Sequence, residues 1–326
     1  MHSFKTLIRA ALAAAAAVLL LLLLDFALYP CTFIRNDIHA VTTRTYDDIY
    51  LGSSHGKMGI DPAAIREETG RNGHNLCVGG EYGIDAFYLT KLMIETGHRP
   101  ERIIYDISPA YFCMEKEEGN NYLLFYHEFP LTKAKAEYFA HSIAKCNLRT
   151  LFFPWYEYPL DYELRNLKDT VSRKWRQDYG IESLKTSSQE YHADGFIHRY
   201  PTDPNTFSFS GMSEPDPSLI LQKNLDHLSR LIALCKENDI SFAATVLPIP
   251  AATLKQFSAG FEAMWVLFAE YFEQENVPFL NFNDQEHYQS VSHKVDRFTD
   301  LDGHLNGEAA SDFSRVFAHQ LEDLFS

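Results

Sequence analysis

Three clusters of polar residues follow short apolar runs and a fourth precedes the last helix, and together they hold the parts of an acyl-transfer site. Gly52-Ser53-Ser54-His55 follows Asp48 to Leu51; Gly79-Gly80 follows Asn75 to Val78; Asp106-Ile107-Ser108 ends a third run from Arg102; and Asp300-Leu301-Asp302-Gly303-His304-Leu305-Asn306 lies far downstream. A serine hydroxyl is a weak nucleophile until a base takes its proton, and histidine does that near neutral pH. A carboxylate beside the histidine fixes its tautomer, and backbone N–H groups at glycines can hold an oxyanion. Ser53 or Ser54 would supply the hydroxyl, His304 the base, and Asp302 or Asp300 the acid. No His-Glu-x-x-His motif occurs, and Asp296, Asp300 and Asp302 lack a full calcium loop, so no metal site and no cofactor is expected. The bland alternatives are turn and cap roles: Ser53 and Ser54 closing a turn, Gly79 and Gly80 permitting one, His55 hydrogen-bonded in place, Asn306 capping the last helix.

Strands and helices must place these clusters together. Runs at 48–51, 75–78, 102–107, 240–247 and 277–281 read as buried strands. Helices are predicted over 61–70, where Asp61 caps, Pro62 opens and Gly70 stops, over 83–96, through the stripe Leu221, Leu225, Leu228, Ile232, Cys235, over 252–274, and at the C-terminus on Phe313, Phe317, Leu321 and Leu324. Alternating strands and helices imply an α/β fold, a three-layer α/β/α sandwich with a mostly parallel sheet. Ligands in such sheets bind beyond the carboxyl ends of the strands, where the first three clusters lie. Residues 112–215, rich in Tyr, Phe and Trp, break the rhythm. They read as an insertion over that edge, a lid or docking surface, with Trp155 and Trp175 either core or ligand platform.

The N-terminus reads differently. Ala10 to Leu24 is fifteen uncharged residues ending in six leucines, preceded by Lys5 and Arg9. Extended to Tyr29 it reaches roughly 20 residues, enough to cross a ~30 Å hydrocarbon core. The division expected is a cytoplasmic stub and transmembrane anchor at 1–30, a stalk at 31–44 and one domain at 45–326. A cleaved signal peptide is the rival, but no small-x-small site follows the leucines. The basic flank orients the N-terminus to the cytoplasm, which puts the domain outside a single-pass cell-membrane protein. Five cysteines without Cys-x-x-Cys spacing form neither a disulfide framework nor a metal site, and Cys77 and Cys235 sit among apolar residues as core side chains. The 326-residue chain carries 29 basic and 44 acidic side chains, a net −15. The first 24 residues carry +2 and no acid, leaving −17 on the rest. So acidic a surface repels phosphate backbones, which argues against nucleic acid as a partner. An acidic polymer would need a local basic patch, for which Arg165, Arg173, Lys174 and Arg176 are the candidates.

Tyr50-Leu51-Gly52-Ser53-Ser54-His55 resembles the first block of the SGNH/GDSL hydrolase superfamily, in which Gly-x-Ser after the first strand carries the nucleophile. Asn75 to Gly80 resembles the second block, whose glycine donates to the oxyanion, and Asp302-Gly303-His304-Leu305-Asn306 the late Asp/His block. With the anchor, the chain is most similar to a membrane-anchored branch that includes DltD-like D-alanine transfer proteins and alginate O-acetylation proteins. The likeness covers residues ~48–110 and ~220–326 and implies an SGNH/flavodoxin-like fold. It implies a serine esterase or O-acyltransferase on a cell-surface polysaccharide or teichoic-acid-like polymer, with an acyl donor, a sugar or polyol acceptor, and a membrane-bound O-acyltransferase as partner. It also implies Ser54 as nucleophile, His304 as base and the Ser54 and Gly80 amides at the oxyanion, with Gly79, His55 and Ser108 around them. Two positions depart from the pattern. Asp106-Ile107-Ser108-Pro109 replaces the third block's Gly-x-Asn-Asp, removing an oxyanion donor. Leu301 stands three residues before the histidine, where the acid is usual. An acid two residues before it resembles the alginate proteins and points to Asp302; Asp300 is the alternative if Gly303 is an inserted residue. These departures also fit a non-catalytic exported protein that binds the polymer or docks on the acyltransferase.

Overall fold

A computed structural model of the chain describes residues 2–116, 125–143, 145, 167–180 and 184–326. Among them are seven strands: β1 (Asp48–Gly52), β2 (Gly73–Asn75), β3 (Arg102–Asp106), β4 (Gln189–Tyr191), β5 (Ile197–Arg199), β6 (Ser241–Val246) and β7 (Phe279–Asn281). Five of them form one parallel sheet in the order β2-β1-β3-β6-β7. The chain leaves β1 for β2 on one side and crosses back to β3 on the other. The topological switch point therefore lies between β1 and β3.

The sheet is buried on both faces because its strands alternate two apolar sets. Ile49, Leu51, Ile103, Tyr105, Ala244 and Val246 face one core, which the helices Phe33–Thr43, Gly83–Glu95, Gln222–Glu237 and Ser258–Glu275 cover. Tyr50, Ile104 and Leu280 face the other, against helices Pro62–Thr69 and Gly307–Phe325. The expected caps are in place. Asp61 accepts from Ala63 N and Ala64 N, Gly70 turns left-handed at φ 75°, and Asn306 accepts from Ala309 N. Three boundaries move. The second strand is 73–75 rather than 75–78, although Leu76 N and Val78 N still donate to Tyr50 O and Gly52 O. The fifth strand is Phe279–Asn281 rather than 277–281. The helix expected over 252–274 breaks at Phe257 into Ala251–Gln256 and Ser258–Glu275.

Residues 31–44 do not form a stalk. Phe33–Thr43 is a helix whose Ile38 and Val41 enter the core. Its Asp37 is fully buried, accepting from Lys57 Nζ (2.8 Å) and Tyr191 Oη (2.6 Å), with His74 Nε2 at 3.0 Å. A charge that deep needs such partners, so the segment belongs to the domain.

The described parts of 112–215 are likewise built in. Tyr138, Tyr191 and Phe196 are buried. The β4–β5 hairpin seats Gly195 against the end of β2, where Asp194 O accepts from Asn75 N at 2.8 Å. A Cβ on Gly195 would lie 2.1 Å from Asn75 O, so only glycine fits. Trp175 is exposed; Trp155 lies outside the described residues.

The N-terminal helix runs His2–Leu28, and its segment Phe4–Leu28, 25 residues, is long and apolar enough to cross a membrane. Lys174 Nζ donates to Phe26 O at 3.0 Å and Tyr29 O at 2.5 Å, where a cation meets the carbonyl end of the helix. Of the expected basic patch, Lys174 and Arg173 are engaged within the fold, while Arg176 stays exposed. Arg173 is buried on Gly180 O and Arg176 pairs with Asp178. Arg165 lies outside the described residues.

Candidate active site

β1 ends at Gly52, whose φ of 134° and close approach to β3 exclude any side chain: a Cβ would stand 2.5 Å from Asp106 O. The turn delivers Ser53 as the cap of a short helix, Ser54–Gly59. Ser53 Oγ accepts from His55 N at 3.2 Å and donates to Asp106 Oδ2 at 2.9 Å, which also accepts from Gly56 N at 2.9 Å. From below, Asn75 Nδ2 donates to Gly56 O and Ile60 O, each at 2.8 Å. Lys57, on the same helix, reaches Asp37 and Asn75 O. Glu81 Oε1 accepts from Gly52 N at 3.0 Å. The turn carrying Ser54 is thus held on every side by buried polar bonds.

Ser54, partly exposed, places its Oγ 2.7 Å from His304 Nε2. On the far side of the ring, His304 Nδ1 lies 2.7 Å from Asp300 Oδ2. Asp300 Oδ1 closes its own loop, accepting from Gly303 N (3.1 Å) and His304 N (3.3 Å). A carboxylate only accepts, so the proton on Nδ1 faces Asp300, and Nε2 is left to accept from the serine. Burial raises the Asp300 pKa, but the His304 ring and the two amides outweigh it and bring it down to about 2. This geometry decides between the two acids. Asp300, not Asp302, orients His304, because the left-handed turn at Gly303 (φ 117°) folds the histidine back over the residue four positions earlier. Asp302 is exposed, and its backbone carbonyl accepts from His55.

His55 lies 4.7 Å, centroid to centroid, from His304. Burial, with His304 beside it, pushes its pKa down to about 3, so it stays neutral beside the 300–304 loop. Gly79 approaches Ser54 closely: a Cβ there would be 3.5 Å from Ser54 Cβ. Gly80 differs from expectation, for its N–H donates to Tyr111 Oη at 2.9 Å and is not open to a ligand. Ser108 stands on the cleft wall, capping Pro109–Cys113 through its backbone position without a side-chain bond.

The sequence reading did not single out Tyr111 or Glu81, and it noted Asp106 only as a strand-exit residue. Asp106 is 2% exposed, and its Oδ1 has no partner among the described residues. Burial drives its pKa up to about 6, against the pull of Ser53 and Gly56. Position directly after β3 was the one signal for it. A cleft of about 390 Å³ opens over Ser54 and His304, bounded by Tyr111, Leu247, Ile249 and the segment 211–215.

Asp300, Asp302 and His304 each bring one ligand atom within 4.8 Å of the others, the only such metal-capable group among the described residues. Both His304 nitrogens are already committed, to Ser54 and Asp300, which leaves the set poorly suited to hold a cation. Asp296 is not part of it. Cys77 and Cys235 are buried and free, and Cys31 and Cys113 are also unpaired; Cys146 lies outside the described residues. The arrangement can move a proton from a hydroxyl to an imidazole that a carboxylate holds in the right tautomer. Compared with protein-family models and with curated proteins, the chain matches none.

Proposed function

We propose that the protein is a membrane-anchored serine esterase or O-acyltransferase of SGNH type, working outside the cytoplasm on a cell-surface polysaccharide or teichoic-acid-like polymer. The observation that carries this reading is the unbroken chain Ser54 Oγ, His304 Nε2, His304 Nδ1, Asp300 Oδ2, with both gaps at 2.7 Å. That is hydrogen-bond distance for a nucleophile, its base and the base's orienter.

Ser54 Oγ attacks an acyl carbonyl while His304 takes its proton. The Ser54 amide is the proposed donor to the developing oxyanion; the Gly80 N–H, which the resemblance assigns that role, is bonded to Tyr111 Oη. The tetrahedral adduct collapses, and His304 hands its proton to the leaving alcohol. An acceptor hydroxyl then gives its proton to His304 and attacks the acyl-serine. A sugar or polyol acceptor gives transfer; water gives hydrolysis. The apolar N-terminal helix supports transfer, with a membrane-bound O-acyltransferase supplying the acyl group.

A fluorophosphonate probe should label the full-length protein, and Ser54→Ala should abolish the label. A folded wild type that never labels would sink covalent catalysis. It would favour the second reading, a polymer-binding protein, for which the Gly80–Tyr111 bond is the supporting observation. Deleting the gene and analysing ester-linked groups on surface polymers would identify the acyl group.

A further inference from the structure

Once Ser54 carries an acyl group, the chain beyond the carbonyl must lie somewhere, and the surroundings of Oγ offer unequal choices. Towards the loop 300–304 the neighbours are polar: Asp300 and His304, bonded to each other, and His55, whose ring lies 4.7 Å from that of His304. Beyond Gly79 and Gly80 a separate hollow of about 320 Å³ holds Tyr82, Tyr111, Glu115 and Lys116, which suits hydroxyl-bearing groups. The remaining direction is the main cleft. Its lining includes Asp106, Ser108, Ser213 and Thr253, and its apolar part combines Val246, Leu247 and Ile249 at the end of β6 with Phe261 from the helix behind and Met114 and Met212 from the insertion. None of these last six carries a charge or a side-chain hydrogen-bonding group beyond the methionine sulfurs. Val246, Leu247 and Ile249 are nearly buried; Met114 is 46% exposed, so the insertion side presents open apolar surface. An unbranched thioether adapts to chains of differing shape.

We infer that the apolar part of this wall is an acyl-chain site and that the group transferred is an aliphatic acyl chain longer than acetyl. The inference rests on the catalytic reading above. An acetyl group would place one methyl against the wall and leave the rest in water. Each further methylene removed from water against it favours the acyl-enzyme by about 4-fold. The bonds are those of ordinary ester exchange. The donor ester's C–O bond breaks as Ser54 Oγ–C forms, and the donor alcohol leaves with the serine proton by way of His304. The acceptor oxygen then replaces Ser54 Oγ, which recovers a proton from His304.

The test uses the full-length protein in detergent with p-nitrophenyl esters of two, four, six and eight carbons. The expected result is that kcat/KM rises about 4-fold per methylene, on the order of 10²-fold from acetate to hexanoate. Met212→Trp, which fills the insertion side, should move the optimum to shorter esters, and Phe261→Ala should move it to longer ones. Either variant suffices if the other fails to fold. A Ser54-dependent activity that is highest on acetate overturns the acyl assignment and leaves the catalytic reading standing. So does a length profile that neither variant moves. No turnover of any ester, with no fluorophosphonate labelling, overturns both.

Discussion

Asp300 Oδ2 stands 2.7 Å from His304 Nδ1, whereas Asp302, two residues nearer in sequence, turns its side chain to solvent. Asp300→Asn keeps the shape but offers an amide N–H to a ring that needs an acceptor, and it invites the wrong tautomer. A loss in kcat on the order of 10⁴ is expected, the size seen when a triad aspartate is so changed. Asp302→Asn should change kcat by less than about 3-fold, a small fraction of that loss. Steady-state kinetics on one ester compare the two; equal losses would show that the 300–304 loop rearranges on binding.

Tyr111 Oη accepts the Gly80 N–H, and a hydroxyl that accepts can pass its own proton on. It stands on the segment that follows β3, where the resemblance puts the missing asparagine. Tyr111→Phe should lower kcat by about 10²-fold with KM nearly unchanged, as for a donor engaged only in the transition state. A rise in kcat would instead mean that the hydroxyl merely covers Gly80.

Asp106 titrates at about 6 in the fold against 3.8 for an ordinary aspartate. The folded form therefore holds the proton longer. Its contribution is most favourable in acid and is lost as pH rises from about 4 to 6, by about 3 kcal/mol in all. Asp106→Asn keeps an acceptor for Ser53 Oγ and Gly56 N and removes the charge. Thermal melts at pH 4.5 and 7.5 should show the variant gaining on the wild type at the higher pH. A pH-independent difference would mean that Asp106 does not ionise in this range.

Lys57 is 1% exposed and neutralises Asp37 beneath the Ser54 helix. Lys57→Met strands that carboxylate and should cost about 3–5 kcal/mol of stability. Adding Asp37→Asn should restore part of it. If the double variant is no better than the single one, packing rather than charge is what Lys57 supplies.

Ser54 and His304 were legible because strand-exit turns and helix caps are local: Ser53 caps onto His55 N and Asn306 onto Ala309 N, within three residues of themselves. The choice between Asp300 and Asp302 was not, since it depends on one left-handed turn at Gly303 that two aspartates in a short loop leave open. Residues 31–44 look polar in sequence, and only the depth of Lys57 and His74 explains why Asp37 can be interior. Lys174 reads as a free cation until the carbonyls of Phe26 and Tyr29 are seen beside it. Asp106 anchors the turn 52–56, whose Ser53 and Gly56 close on its carboxylate, a contact that its own segment does not reveal.

Only four residues separate Leu28, the end of the N-terminal helix, from Phe33, the start of a helix embedded in the domain. Fully stretched, such a leash spans about 14 Å, and Lys174 shortens it further by gripping the helix end. The domain therefore cannot roam on a tether in search of its reactants. It stays at one height above whatever holds its first helix, like a fixed tool on a bench, and on the proposed reading both donor and acceptor must be brought within its reach.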